Sequence, residues 1–262
     1  LGATESISWK GSKGWNIQGW FIHPPKRFGG GPHPMITIPH GGPTGVSSPT
    51  FHAVNRGYQL LARLGYAVFL PNFRGSTGWG LKFAESNIGD MGGGDWEDIQ
   101  KGIDYCIKNK LADSGKLGIM GHSYGGYLAA WAVTQTDRFR ASIMSAGICD
   151  WRSFHGRSRI SKWDSLHFGG ADPWDADGIF RKFSPITHVR NVKTPTLILH
   201  GQDDQDVPVD QAYEFYRALH DIGVVSELVV YPREGHGIRN ERNHRLDYFN
   251  RIESWFQGII PV

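Results

Sequence analysis

The sequence predicts an α/β fold, with a mostly parallel central sheet covered by helices on both faces. Two observations carry this. Short apolar runs alternate with helix-period segments from Met35 onward, which is the pattern of parallel strands joined by helical crossovers. A Gly-x-Ser-x-Gly motif, Gly121 to Gly125, also falls between such a run, Lys116–Met120, and a helical stretch, Leu128–Val133.

The elements follow in order. Ser6–Lys10 and Asn16–His23 alternate with period two and read as strands joined by a hairpin over Gly11–Gly14. Lys26–Pro34 reads as a Gly/Pro-rich loop, and Met35–Pro39 as a short buried strand running into His40-Gly41-Gly42-Pro43. His52–Leu64 places Val54, Leu60, Leu61 and Leu64 on a helical face that Gly65 ends. Tyr66–Leu70 is a buried strand and Pro71–Gly80 a long loop. Trp96, Ile99, Ile103 and Ile107 mark a helix within Asp90–Lys110. Arg140–Ala146 is a further strand. Periodicity then fails from Gly147 to Pro185, a stretch dense in aromatic residues whose plain reading is a satellite core. Pro195–His200, a helix within Val207–Ile222, Ser226–Tyr231 and a closing helix with Leu246, Phe249, Ile252, Phe256 and Ile259 on one face complete the chain.

The Gly-x-Ser-x-Gly turn is the nucleophile elbow of the α/β-hydrolase fold. It is a turn so sharp that side chains two positions either side of the serine would collide. A serine hydroxyl is a poor nucleophile at neutral pH and needs a base, which in turn needs an orienting acceptor. In this fold the chain order is serine, acid, histidine. After Ser123, the strand ending at His200 leads into Asp203, Asp204 and Asp206, three carboxylates that spacing does not separate. The last strand leads into Glu234-Gly235-His236-Gly237, where His236 is late, on a loop and flanked by glycines. The His40-Gly41-Gly42 turn sits where such enzymes keep half of an oxyanion hole, and His40 itself reads as a structural hydrogen-bonding residue.

Composition sets outer limits. A length of 262 residues suits one large domain. A net charge of +3 with no Lys/Arg run argues against nucleic acid or an anionic membrane surface as partner. No apolar run reaches the length of a membrane span. Two cysteines, Cys106 and Cys149, suit a reducing compartment, so a cytoplasmic location is expected. No His-Glu-x-x-His pattern is present, and the mechanism requires neither metal nor organic cofactor. The chain begins at Leu1 and reads as the middle of a longer protein.

Together, Gly121–Tyr127, His40–Pro43, Asn72–Ser76, His200-Gly201 with Asp204, and Glu234–Gly237 resemble the catalytic domain of the prolyl oligopeptidase family of serine peptidases. The likeness spans essentially residues 1–262 and is strongest to acylaminoacyl and dipeptidyl peptidases. It implies Ser123 as nucleophile, His236 as base and Asp204 as its orienter. It implies an oxyanion hole from the N–H groups of Tyr124 and Gly42, with Gly42 ahead of Gly41. Tyr124, Ile148, Trp151, Phe154 and Val207 match positions lining the pocket for the residue before the scissile bond. An N-terminal β-propeller, absent from this chain, and short peptide substrates are implied as partners, and a homo-oligomer is compatible. Where some relatives place Arg or Asn to hold a substrate carbonyl, this chain has Asp206, which when ionised can only accept. That substitution is expected to disfavour an acylated N-terminus or to favour a nearby cation. A carboxylesterase of the same fold is the alternative reading, and a silent interaction domain a third.

Overall fold

A computed structural model describes residues 1–48 and 57–262. Val54 and the N-terminal part of the helix expected over His52–Leu64 lie outside the described residues.

One eight-stranded sheet runs through the molecule in the order β1-β2-β4-β3-β5-β6-β7-β8. β1 (Thr4–Lys10) and β2 (Asn16–Ile22) form the antiparallel hairpin, and β2 lies antiparallel to β4 (Ala67–Asn72). From β4 onward every pairing is parallel, through β3 (His33–Thr37), β5 (Ala112–His122), β6 (Ala141–Ser145), β7 (Thr196–Gly201) and β8 (Ser226–Tyr231).

Alternating side chains divide the core in two, because successive strand residues face opposite sides. In β4, Ala67 and Phe69 join one cluster while Val68 and Leu70 join the other. The first cluster packs under α3 (Gly94–Lys108), α4 (Tyr124–Gln135) and α8 (Asp210–Asp221). Trp96, Ile99 and Ile103 are buried there and Ile107 is half-buried, as their spacing predicts. The second cluster packs under α1 (Tyr58–Arg63) and α9 (Arg242–Ile259), through Tyr58, Leu61, Ile252 and Phe256. α2 (Leu81–Ala84) is a single turn in the loop after β4.

Some boundaries differ from the sequence reading. β3 begins at His33, inside the expected loop. Its register against β5 shifts between His33 and Met35, which accommodates Pro34, a residue without an N–H for the ladder. β4 continues through Pro71 and Asn72, both buried. The Gly147–Pro185 stretch contains α5 (Trp151–Arg157), α6 (Ser161–His167) and α7 (Ile179–Lys182). Helices of four to seven residues are too short to display a full amphipathic period. Leu246 is 50% exposed and does not share the buried face of α9. It lies in the second turn of that helix, ahead of the Ile252–Phe256 segment that meets the sheet.

Candidate active site

β5 delivers Ser123 at its carboxyl end, and α4 begins at the next residue. Ser123 is held at φ 62° and ψ −124°, a region that L-residues rarely occupy and that persists only when the surroundings enforce it. The surroundings here are backbone. The Ser123 N–H donates to the Ser145 carbonyl at 3.0 Å, and the Tyr127 N–H donates to the Ser123 carbonyl at 2.9 Å. A Cβ at Gly121 would run into the Gly125 backbone, and one at Gly125 into the Pro39 carbonyl. Both glycines of the motif are therefore steric requirements of the turn.

β7 and β8 deliver the other two groups. The Asp203 N–H donates to the Glu234 carbonyl at 2.8 Å and the Gln202 N–H to the Tyr231 carbonyl at 2.9 Å, so the two loops are stapled together. The structure unites Ser123, His236 and Asp204. His236 Nδ1 lies 2.7 Å from Asp204 Oδ2, and His236 Nε2 lies 2.9 Å from Ser123 Oγ. An ionised carboxylate only accepts, so Nδ1 holds the ring proton and Nε2 is left to accept from the serine hydroxyl.

Asp204 stays ionised in spite of its burial. Burial alone would raise its pKa, but hydrogen bonds from His200 and His236 and from the Val207 N–H bring it well below the usual carboxylate range. Its Oδ1 accepts the N–H groups of Asp206 and Val207, each at 2.9 Å. Asp203, the neighbouring carboxylate, is exposed.

The loop after β3 overhangs the serine. A Cβ on Gly41 would stand 3.3 Å from Ser123 Cβ. Gly42 has φ +134°, a backbone conformation suited to glycine. Tyr124 is the first residue of α4, and the first N–H groups of a helix have no acceptor within it. His40 is buried, stacks on Phe73 at 4.4 Å and contacts Gly41 O and Ser76 Oγ, each at 2.8 Å.

The five aromatic and aliphatic positions given by resemblance all sit on the first core cluster. Tyr124, Ile148, Trp151, Phe154 and Val207 are each 2% exposed or less. Trp151 meets the rings of Tyr127, Phe154 and Phe168 at 4.8 to 5.5 Å. These residues are built into an aromatic core, and none lines the cavity of about 670 Å³ that opens on the opposite flank.

Several residues around the site have a positioning role that the sequence does not reveal. Asp95 is fully buried beneath Tyr124, whose hydroxyl donates to its Oδ2 at 2.5 Å; burial pushes that carboxyl up to about 7. Glu234, also fully buried, accepts the backbone N–H groups of Arg239, Asn240 and Glu241 at 2.8 to 2.9 Å. It thereby shapes the loop that holds His236. Arg159 pairs with Asp206 at 2.6 Å. The cation that the acidic Asp206 was expected to favour is thus supplied by the chain itself, from 47 residues away. Asp204, Asp206 and His236 offer atoms within 4.8 Å of one another that could ligate a metal ion. Two of those residues already face each other in the hydrogen bond above, and the third faces Arg159.

An eight-stranded, mostly parallel sheet bearing a serine elbow, with a histidine and a carboxylate on later strand ends, is an α/β-hydrolase. The comparisons with known proteins narrow this. The model of the prolyl oligopeptidase family matches residues 52–261. An uncharacterized peptidase of Bacillus subtilis, YuxL, is 36% identical over 96% of this chain and 38% of its own length. The acylamino-acid-releasing enzyme of Arabidopsis thaliana is 32% identical over 85% of this chain and 30% of its own. The solved structure of Pyrococcus horikoshii acylaminoacyl peptidase superposes with a TM-score of 0.91 at 32% identity, covering 99% of this chain and 42% of that one. The chain belongs to the prolyl oligopeptidase family. It spans well under half the length of these relatives. Among the described residues no helix is long and apolar enough to cross a membrane.

Proposed function

We propose that the protein is a serine peptidase that cleaves short peptides, of acylaminoacyl- or dipeptidyl-peptidase type, through an acyl-enzyme on Ser123. The observation that carries this is the unbroken hydrogen-bond chain from Ser123 Oγ through His236 to Asp204. Ser123 Oγ attacks the scissile carbonyl carbon while its proton passes to His236 Nε2. Asp204 holds the ring and balances the imidazolium charge. The N–H groups of Tyr124 and Gly42 receive the oxyanion. The C–N bond then breaks as His236 returns the proton to the leaving amine. A water molecule then attacks the ester carbon and gives one proton to His236; the C–Oγ bond breaks, His236 returns that proton to Ser123 Oγ, and the carboxylic acid leaves.

We assign the residue before the scissile bond to the flank of Tyr124, Ile148, Trp151, Phe154 and Val207. The resemblance supports this, together with their place on one side of the serine. The relatives' greater length supports a parent protein with an additional N-terminal β-propeller that admits only short peptides. Cys106 and Cys149, both buried and free, support a cytoplasmic location.

The test is turnover of short peptide amides and short acyl esters by the full-length protein and by Ser123→Ala. Loss of roughly 10⁴-fold or more in kcat/KM on peptides is expected, with peptides preferred over esters. Full activity in Ser123→Ala would overturn the assignment, and turnover confined to esters would make the protein a carboxylesterase.

A further inference from the structure

The cavity of about 670 Å³ beside the catalytic groups lies on the second core face. Ile38, Tyr58, Met120 and Phe249 contribute to its wall. The aromatic flank given to the acyl portion of the substrate lies wholly on the first. The two therefore stand on opposite sides of the sheet's carboxyl edge, with Ser123 and His236 between them. Gly41, His122 and Gly237 line the cavity; they neighbour the oxyanion loop, the serine and the base in sequence. His236 must hand its proton to the departing amine, so the departing portion of the substrate lies on this side.

The charged side chains in the described lining of the cavity are of one sign. Arg239 and Arg245 line it, and its described lining contains no carboxylate. His122 adds no charge near neutral pH, because burial and then the neighbouring His236 hold its pKa down to about 3. Glu234 fixes the Arg239 backbone through the Arg239 N–H. The Arg239 side chain folds back over Gly237, where an added Cβ would stand 3.0 Å from its Nε. Among the described residues no acceptor or carboxylate pairs with the Arg239 guanidinium. A fixed loop thus holds an uncommitted planar donor set next to the base.

We propose that this cavity is the leaving-group subsite and that Arg239 binds a carboxylate there, chiefly the free α-carboxylate of a one- or two-residue leaving fragment. The proposal rests on the peptidase reading above and adds the substrate's far end to it. It makes the protein selective for substrates that finish just beyond the scissile bond. An acidic side chain on the first leaving residue presents the same chemistry and is separated by experiment.

The test measures kcat/KM for three substrates with phenylalanine before the scissile bond. One ends in free alanine, one in alanine amide and one in aspartic acid amide. Each carries an acetyl or alanyl cap, whichever the full-length protein turns over faster. Wild type is expected to prefer the free acid over the alanine amide by about tenfold, the low end for a charge-assisted hydrogen bond at an exposed group. Arg239→Gln should bring the ratio to near one, and Arg239→Lys should retain part of it, with the loss appearing in KM more than in kcat. Recovery of the preference by the aspartic acid amide alone would assign Arg239 to the side chain and overturn the α-carboxylate assignment. A wild type that cleaves all three equally, or an Arg239→Gln ratio equal to that of wild type, overturns the inference and leaves the peptidase reading intact. A wild type that cleaves none of them while Ser123 is still labelled by a fluorophosphonate overturns the peptidase reading itself.

Discussion

The two flanks of Ser123 are built on different principles. On the Tyr124 side the wall is rings packed on rings: Trp151, Phe154, Phe168 and Phe180 have at most 1% exposure. On the His122 side a cavity of about 670 Å³ has Arg239 and Arg245 in its wall. A packed wall selects by shape, because interiors at crystal-like density tolerate little change in volume. An open charged wall selects by ion pairing, which costs no repacking. On the two assignments proposed above, one catalytic centre would read the acyl side of its substrate by size and the leaving side by charge.

The comparison can be broken first at the groups common to both flanks. Asp204→Asn removes the acceptor that fixes the His236 tautomer, and should lower kcat on every substrate by about 10⁴-fold while leaving the discrimination between substrates unchanged. Steady-state kinetics with the free-acid and amide substrates measures both. A selective loss on one class would show that Asp204 belongs to one flank.

The packed flank comes next. Trp151→Ala deletes a fully buried indole and should cost about 3–5 kcal/mol of stability, read as a lower denaturant midpoint. It should also impair substrates with a bulky residue before the scissile bond more than it alters the free-acid preference. An unshifted midpoint would mean that the aromatic flank is not the packed wall described above.

The smallest effect concerns His122, which separates the flanks and meets the His236 ring at 4.8 Å. Its folded pKa lies near 3, against about 6.5 when unfolded. Above pH 6.5 neither state binds the proton and stability is unaffected. Between pH 6.5 and 3 the unfolded chain binds it and the folded chain does not, so stability falls as pH falls. His33 and His167 are shifted in the same direction, mainly by burial. Urea midpoints at pH 7 and 4.5 should therefore drop in wild type and drop less in His122→Gln. Identical drops would remove His122 from the account.

The parts of the site that could be read from the sequence are those tied to local backbone. Gly121 and Gly125 frame Ser123 because the turn between β5 and α4 permits nothing larger, and that constraint is written within five residues. His236 stood out by its glycine neighbours and its place after the last strand. Choosing Asp204 among three carboxylates required the family resemblance. In space the difference is plain, since among the three it is Asp204 that hydrogen-bonds His236, while Asp206 pairs with Arg159 and Asp203 is exposed. The positioning groups were hidden for two reasons. Asp95 and Arg159 act across 29 and 47 residues, and an acidic or basic residue in isolation reads as a solvated surface group. Glu234 stood in a motif, but its role depends on the loop folding back so that Arg239, Asn240 and Glu241 present their N–H groups to it. Arg239 resembled any other arginine until the fold set it beside an open cavity. The segment from Gly147 to Pro185 hid its helices because each is a turn or two long, held by aromatic packing more than by an amphipathic stripe.

The central claim is that Ser123 is made nucleophilic by His236 and Asp204 acting in series. The most direct measurement is intact-mass detection of fluorophosphonate labelling. One adduct, mapped to Ser123, is predicted in wild type, with none in Ser123→Ala and labelling slowed by orders of magnitude in His236→Gln. Equally fast labelling of Ser123 in wild type and His236→Gln, or an adduct on another residue, would contradict it.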